Sequence, residues 1–345
     1  MSGDLALTVK ARAMFGKRLK EADYDALMQK RDVGEIAAYL KNQTAFAQVL
    51  SGINERAIHR QHLESLLRKD IYIRLQKLLR YSGKDDAAFI ASFSMKSEIL
   101  MILSCVRYIM NPDPEIRDEM IASMPLFSQR YFSFELRHLV EISSYNELIG
   151  FLADTPYRAI LSRYRCENIE QLDYLSLEHD MELLVFDRIF RNISIYGKGE
   201  DGERMRQIIS QRAELTNLSI IYRLKKDFVT SSQRIEDLLL PYQMYFSKKQ
   251  LHEMIENNTA QEILEAIQKK YRSYAKDITF TNIEHFIQQI SYNMYHNFIE
   301  YETEPTLVLM SYLYLADTEI NNIITIIEGV RYKVSSGRIA GLLIY

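Results

Sequence analysis

Glu214-Leu215-Thr216-Asn217-Leu218-Ser219-Ile220-Ile221-Tyr222-Arg223 is the most informative segment of the chain for its fold. Its apolar residues fall one, four and seven positions after the glutamate, which is the spacing of one face of an amphipathic helix. The same pattern recurs from Glu319 to Glu328, and a looser version runs from Glu98 to Arg107. This recurrence predicts three equivalent helices, one in each of three tandem units.

A helix-start motif recurs upstream of each of these helices. Asp32–Glu35, Ser144–Glu147 and Thr259–Glu262 each place a capping residue three positions before a glutamate. In a capping box the side-chain oxygen of the first residue accepts a first-turn N–H, and the glutamate accepts the N–H of the capping residue. The three glutamates are spaced by about 112 and about 115 residues, a period that indicates repeats of one unit.

The sequence between the two repeated motifs predicts a longer helix in each unit. These helices are expected over Glu55–Tyr81, Ile169–Ile195 and Asp277–Tyr301. The expected seams between units are marked by Pro112, Pro114, Pro125 and Pro241. No stretch alternates with a period of two for long enough to indicate a sheet. We therefore predict an all-α fold with units at residues 1–112, 113–238 and 239–345.

Composition excludes several classes of protein. The 345 residues include 43 basic and 46 acidic ones, a balance that argues against a nucleic-acid partner. The two cysteines, Cys105 and Cys166, form no CxxC pair, which argues against a disulfide scaffold or a cysteine-built zinc site. The longest apolar run, Leu307–Ala316, is shorter than the roughly 20 residues of a membrane span. We expect a protein that does not cross a bilayer.

One pair of residues suggests an enzyme. His179-Asp180 is compatible with a divalent metal site for phosphate-ester hydrolysis in a helical protein, together with His138 upstream and Asp187, Asp201 or Asp237 downstream. The simpler interpretation is a solvated helix face, because one unrepeated histidine is weak evidence of coordination. The chain has neither an HExxH nor a GxSxG motif. We predict no catalytic residue, cofactor or metal.

Recurring polar residues are the stronger candidates for function. They are Glu98, Arg107, Glu214, Asn217, Arg223, Glu319, Asn322 and Arg331. Two interpretations stay open: they cap helices or face solvent, or they surround a common axis and bind something held there. The basic stretch Arg68–Arg74 is likewise either a partner or membrane contact or, more commonly for such a pattern, a solvated face.

The order of these motifs resembles a known family. Ala11–Leu19, Ala22–Leu27 and Val33–Phe46, followed by Glu214–Lys225 and Glu319–Lys333, look like the central-stalk subunit of V-type and A-type rotary ATPases. This is the C-type subunit of bacterial and archaeal enzymes and the d-type subunit of vacuolar ones. The resemblance covers essentially the whole chain. The sequence departs from the family pattern in two places. The apolar pattern of Ile99–Arg107 is loose, and in the third repeat Lys270-Tyr271-Arg272 stands where the first two have Thr44 and Thr155.

The resemblance implies a funnel of three pseudo-equivalent helical domains with pseudo-threefold symmetry. In that family the funnel sits on the cytoplasmic face of the membrane rotor ring of proteolipid subunits and receives the foot of the central axle, the D-type and F-type subunits. ATP is hydrolysed in other subunits, so a non-catalytic coupling role is implied, with the eight polar residues lining the socket. The alternatives are the His179/Asp180 phosphohydrolase and a generic helical-repeat scaffold with unrelated partners.

Overall fold

A computed structural model describes residues 3–81, 84–124, 132–197, 199–227, 230–275 and 282–345. Within these ranges the regular elements are all helices and no strand occurs, so the all-α prediction is confirmed. Pro125 and the predicted helix start at Asp277 lie outside the described residues.

The described residues form sixteen α-helices with three short 3₁₀ helices between them. The α-helices are α1 (Gly3–Phe15), α2 (Glu21–Met28), α3 (Val33–Gln43), α4 (Arg60–Leu79), α5 (Lys84–Met110), α6 (Pro114–Ser123), α7 (Tyr145–Phe151), α8 (Tyr157–Arg163), α9 (Tyr174–Tyr196), α10 (Gly199–Asp227), α11 (Ser232–Asp237), α12 (Lys248–Asn257), α13 (Ala260–Lys270), α14 (Ile283–Tyr301), α15 (Pro305–Arg331) and α16 (Ser336–Ala340). The 3₁₀ helices are Ala45–Ala47, Leu136–Val140 and Ile169–Gln171.

Three long helices contain the recurring apolar stripe. Glu98 lies in α5, Glu214 in α10 and Glu319 in α15. The stripe residues at one, four and seven positions after each glutamate are all buried, as the helical period predicts. They are Ile99, Ile102, Cys105, Leu215, Leu218, Ile221, Ile320, Ile323 and Ile326. The predicted intervening helices are also present as α4, α9 and α14, although the first two begin about five residues later than expected because helix starts are poorly encoded by periodicity.

The three predicted helix starts are capped as expected. Glu35, Glu147 and Glu262 donate their backbone N–H to the side chains of Asp32, Ser144 and Thr259, at 2.9, 3.3 and 3.2 Å. The reciprocal bond differs. Only Glu262 of the three accepts the N–H of its own capping residue, at 2.7 Å. Glu35 and Glu147 instead accept the N–H one residue earlier, from Arg31 and Ser143, at 3.0 Å in each case, so this part of the capping-box prediction is wrong for the first two motifs.

Contacts between Cα atoms divide the chain into two compact units. Unit 1 comprises Met1–Gly83, Leu215–Ile235 and Tyr245–Tyr345, and unit 2 comprises Lys84–Glu214 and Glu236–Met244. In unit 1 the long helix α15 packs against α1, α2, α3, α4, α14 and α16. In unit 2 the helix α5 packs most extensively against α9 and α6. The division into three repeats at residues 112 and 238 stays a prediction.

Both ends of the chain belong to unit 1. The guanidinium of Arg12 donates to the carbonyls of Ile299 and Glu302 at 2.7 and 2.5 Å. The ring of Tyr24 stacks on that of Tyr345 with centroids 5.1 Å apart. The N-terminal helices are therefore fastened to the C-terminal ones by polar and aromatic contacts. Among the helices of the described ranges, none combines the length and the apolar character that a membrane span requires.

Candidate functional site

The three recurring glutamates are buried, and each binds a backbone N–H far away in sequence. Glu98, Glu214 and Glu319 expose 4%, 0% and 6% of their surface. A buried carboxylate is costly unless it is hydrogen-bonded, so their partners decide how they are tolerated. We call each glutamate, together with its backbone donor, a clasp: the first joins Glu98 to Ser133, the second Glu214 to Met244 and the third Glu319 to Leu19.

The first clasp lies in unit 2 and is built from neutral donors. Glu98 accepts hydrogen bonds from the backbone N–H of Ser133, from the Ser133 hydroxyl at 3.1 Å and from the phenol of Tyr157. Tyr157 is fully buried. This burial, and to a smaller extent the adjacent Glu98 carboxylate, raises the pKa of the Tyr157 hydroxyl well above its ordinary value. The phenol therefore stays protonated and acts as a permanent donor to Glu98.

The second clasp also lies in unit 2. Glu214 is completely buried and accepts the backbone N–H of Met244 at 2.8 Å. The next residue along the chain, Tyr245, belongs to unit 1, where its ring packs edge-on against Tyr271 with centroids 5.1 Å apart. Asn217, one turn after Glu214 in α10, is also fully buried. A carboxylate accepting from a backbone amide forms a short, charge-assisted bond whose donor cannot rotate away.

The third clasp lies in unit 1 and includes a buried cation. Glu319 accepts the backbone N–H of Leu19 at 2.6 Å and an N–H of the Arg74 guanidinium at 3.0 Å. Arg74 also donates to Asp70 one turn earlier in α4. Burial opposes the charge on Arg74, but Glu319, Tyr312 and Asp70 raise the pKa of its guanidinium. Burial raises the pKa of Glu319 above that of a free glutamate.

The buried Asp70 and Arg74 correct an expectation from the sequence. The stretch Arg68–Arg74 predicted a solvated or partner-binding face, yet only 5% of Asp70 and 8% of Arg74 are exposed. The physical reason is that the two side chains neutralise each other at the helical spacing of four residues and can enter the interior together with Glu319. Leu19, Arg74 and Glu319 also line a cavity of about 530 Å³ within unit 1.

The remaining candidates divide between the interior and the surface. Asn322 is buried and holds the C-terminal segment: its amide donates to the carbonyl of Ile344 at 2.7 Å and accepts the N–H of Ile344 at 2.9 Å. Arg107 is exposed and donates to Ser104 at 3.0 Å. Arg223 lies 3.8 Å from Glu284, and both side chains are more than two-fifths exposed.

Arg331 is exposed, and its guanidinium lies over the ring of Tyr332, 5.3 Å from the centroid. The five glutamates and asparagines are thus internal, and the three arginines reach solvent. For Glu98, Glu214 and Glu319 the structure excludes the interpretation in which they cap helices or face water. Whether any of the eight binds a partner stays a prediction.

The residues considered for metal chemistry have other roles in unit 2. Asp180 accepts the hydroxyl of Tyr164 at 2.8 Å and pairs with Arg163 at 3.0 Å. Asp187 accepts the hydroxyl of Tyr242 at 2.5 Å. Within the part of the chain that the structure describes, no group of three or more His, Cys, Asp or Glu side chains is placed to hold a metal ion. No observation on these residues supports a phosphohydrolase.

One signal in the sequence could have shown that the three glutamates are buried. Each glutamate lies on the same helical face as the apolar residues four and seven positions later. The spacing therefore places the glutamate within the buried face of its helix. A carboxylate in a buried stripe requires internal donors. Periodicity therefore indicates that a partner exists, but not which distant N–H supplies it.

The match to a family model extends over residues 7–342 and so includes all three clasps; the model is that of the ATP synthase (C/AC39) subunit. The chain belongs to the ATP synthase (C/AC39) subunit family. A curated relative is the C subunit of the A-type ATP synthase of Methanosarcina acetivorans, which is 22% identical over 235 residues. That alignment covers 67% of this chain and 61% of the relative, so the chain spans about three-fifths of the relative's length. The resemblance that the motif order indicates is confirmed.

Proposed function

We propose that this chain is the non-catalytic coupling subunit of a V/A-type rotary ATPase. In this role it is a socket that joins the central axle, made of D-type and F-type subunits, to the membrane rotor ring of proteolipid subunits. It would act at the cytoplasmic, inner face of the membrane and would hydrolyse no ATP itself. The observation that carries the proposal is the family match over almost the whole chain.

The physical character of the fold supports a mechanical role. A coupling part must pass a displacement from one protein to another without yielding, and close-packed helical interiors resist deformation. In both units the long helices are buried along their apolar stripe and fastened by charged hydrogen bonds to segments far away in sequence. Such bonds hold the orientation of the helices as well as their separation.

The surface arginines are the best candidates for contacts with partners. Arg107, Arg223 and Arg331 follow the three clasps on the same helices, α5, α10 and α15, and none is enclosed in the interior. A guanidinium presents several donors in a planar fork that suits carboxylates and helix C-termini of a partner. We propose that these three residues contact the axle or the ring.

The experiment is recovery of partners from a membrane extract. A tagged copy of the chain, expressed in its own host, is purified in mild detergent and its neighbours are identified by mass spectrometry. Axle subunits and rotor-ring proteolipids are expected to co-purify in fixed ratio. Recovery of unrelated partners in their place would contradict the proposal and favour a generic scaffold.

The arginines are tested in the same preparation. The triple variant R107A/R223A/R331A is expected to lower the yield of axle or ring subunits per tagged chain. The matched control replaces three other exposed arginines, Arg31, Arg158 and Arg272, by alanine. Equal recovery in both triple variants would exclude the arginines as the contact while leaving the coupling role to be judged on the wild-type preparation.

A further inference from the structure

The three clasps follow a single rule along the chain. In each one the glutamate belongs to one predicted repeat, and its backbone donor belongs to the beginning of the next. Ser133 precedes the capping glutamate Glu147, and Met244 precedes Glu262, by about 14 to 18 residues. In the third clasp the glutamate belongs to the last predicted repeat and the donor to the first, because Glu319 binds Leu19. Leu19 precedes the capping glutamate Glu35 by a similar interval.

A buried aromatic residue accompanies each clasp. Phe46, Tyr157 and Tyr271 occur about ten residues after the three capping glutamates, and each exposes 1% or less of its surface. Tyr157 donates directly to Glu98. The guanidinium carbon of Arg74 lies over the ring of Phe46, 4.8 Å from its centroid, and Arg74 binds Glu319. Tyr271 contacts Tyr245, which follows Met244. The third predicted repeat, which lacks the threonine, therefore keeps the aromatic position.

The chemistry of the clasps suits the transmission of force. A salt bridge between two flexible surface side chains yields by rotation and contributes little. A carboxylate in the interior that binds a backbone N–H joins a helix to the main chain of another segment, with no flexible donor between them. The low dielectric around the buried glutamate strengthens the bond, and rupture removes a donor from a carboxylate that water does not reach. A rotation of one helix is therefore passed to the segment that the clasp holds.

We infer that Glu98, Glu214 and Glu319 are the joints through which torque passes from each predicted repeat to the segment of another repeat that its clasp holds. They are positioning residues: they hold segments and touch no substrate. The inference rests on the proposed coupling function, and it assigns the three glutamates an internal role in place of contact with the axle.

The first test measures the joints themselves by amide hydrogen exchange of the full chain. In the wild type the N–H groups of Ser133, Met244 and Leu19 should exchange far more slowly than those of exposed loops, a result that needs no variant to fold. E98Q, E214Q and E319Q should each speed exchange at their own amide by about tenfold or more. Exposed glutamates on two of these helices, α10 and α15, supply the controls E203Q and E328Q, which should change none of the three amides.

Unprotected amides in the wild type, or equal acceleration by a control variant, would overturn the inference and leave the proposed function intact.

The second test asks whether the joints carry torque. The complete ATPase, containing each variant, is reconstituted in vesicles, and ion pumping per ATP is measured against increasing opposing gradients. The clasp variants should assemble and hydrolyse ATP, yet stop pumping at a smaller gradient than the wild type and the two controls.

Loss of ATP-driven pumping only at high gradient is a result that a merely local loss of stability would not give. Pumping by all three clasp variants that equals the controls at every gradient would overturn the torque role. If the wild-type chain itself were not incorporated into the ATPase, the proposed function would fail, whereas the exchange measurements would still report on the clasps. The two failures are therefore distinguishable.

Discussion

The first and third clasps solve the same problem with different donors. Both hold a buried glutamate against a backbone N–H, but the first surrounds Glu98 with the neutral hydroxyls of Ser133 and Tyr157, and the third surrounds Glu319 with the cation Arg74. A neutral donor that is lost leaves one carboxylate weakly compensated. A cation that is lost leaves two buried carboxylates, Glu319 and Asp70, unpaired. Equivalent positions can therefore differ widely in their sensitivity to mutation.

The largest effect is expected from Arg74→Ala in the third clasp. It strands Glu319 and Asp70 in the interior, and we expect a loss of about 3–5 kcal/mol in the free energy of unfolding. Urea unfolding at pH 7 measures it. The control is Lys249→Ala, which breaks an exposed pair with Glu253 one turn later and should lose less than about 1 kcal/mol. Equal losses in the two variants would show that burial of the Arg74 charge cluster does not set the size of the effect.

A smaller loss is expected from Tyr157→Phe in the first clasp. The variant keeps the ring and removes one neutral donor to a carboxylate, so it should lower the free energy of unfolding by about 1.5–3 kcal/mol. Tyr145→Phe is the matched control in unit 2, because its buried hydroxyl donates 3.0 Å to the neutral carbonyl of Leu161. The control should lose only about 0.5–1.5 kcal/mol. A greater loss in Tyr145→Phe would show that charge on the acceptor does not set the size of the effect.

The third clasp should also respond to pH. Burial raises the pKa of Glu319 in the folded chain above the unfolded value of 4.5, so in the pH interval between these two pKa values the folded state holds a proton that the unfolded state has released. The stability from this proton is complete below about 4.5 and is lost as pH rises through the folded pKa. Wild type should therefore gain stability relative to Glu319→Gln as the pH falls from 7. Urea unfolding of both proteins at several pH values checks the sign, and a wild-type advantage that grows with rising pH would contradict it.

The smallest effect is expected from Ser133→Ala. Its hydroxyl is a second donor to Glu98 at 3.1 Å, and the backbone N–H that defines the clasp remains. Because Ser133 is exposed, water can replace its hydroxyl as a donor, and the loss should be about 0.5–1.5 kcal/mol by urea unfolding, below that of the buried Tyr157→Phe. If Ser133→Ala were the more damaging of the two, the serine hydroxyl and not the Tyr157 phenol would be the stronger side-chain donor to Glu98.

Helices and their buried faces were largely predictable, because burial repeats with the helical period and caps use a small set of residues. Ile320, Ile323 and Ile326 were placed in the interior by spacing alone. The partners of the glutamates were not predictable. The bond from Leu19 to Glu319 joins positions 300 residues apart and depends on how helices meet, which no local pattern encodes.

The burial of Arg74 was not predicted, for a related reason. A basic stretch is typical of a solvated face unless its counter-charges are known, and one of them, Glu319, comes from another helix. The recurrence of the glutamates was informative, since spacing alone distinguishes Glu98, Glu214 and Glu319 from the other acidic residues. It indicates polar groups at equivalent places, and only the folded chain supplies their interior donors.

Omission of this chain from the reconstituted ATPase is the sharpest test of the coupling role. ATP hydrolysis and ion transport are measured together in vesicles that contain the membrane ring and the soluble sector, with and without the chain. The expected result without it is hydrolysis that continues while ATP-driven pumping is lost, and pumping that returns when the chain is added back. Undiminished pumping in its absence would contradict the coupling role.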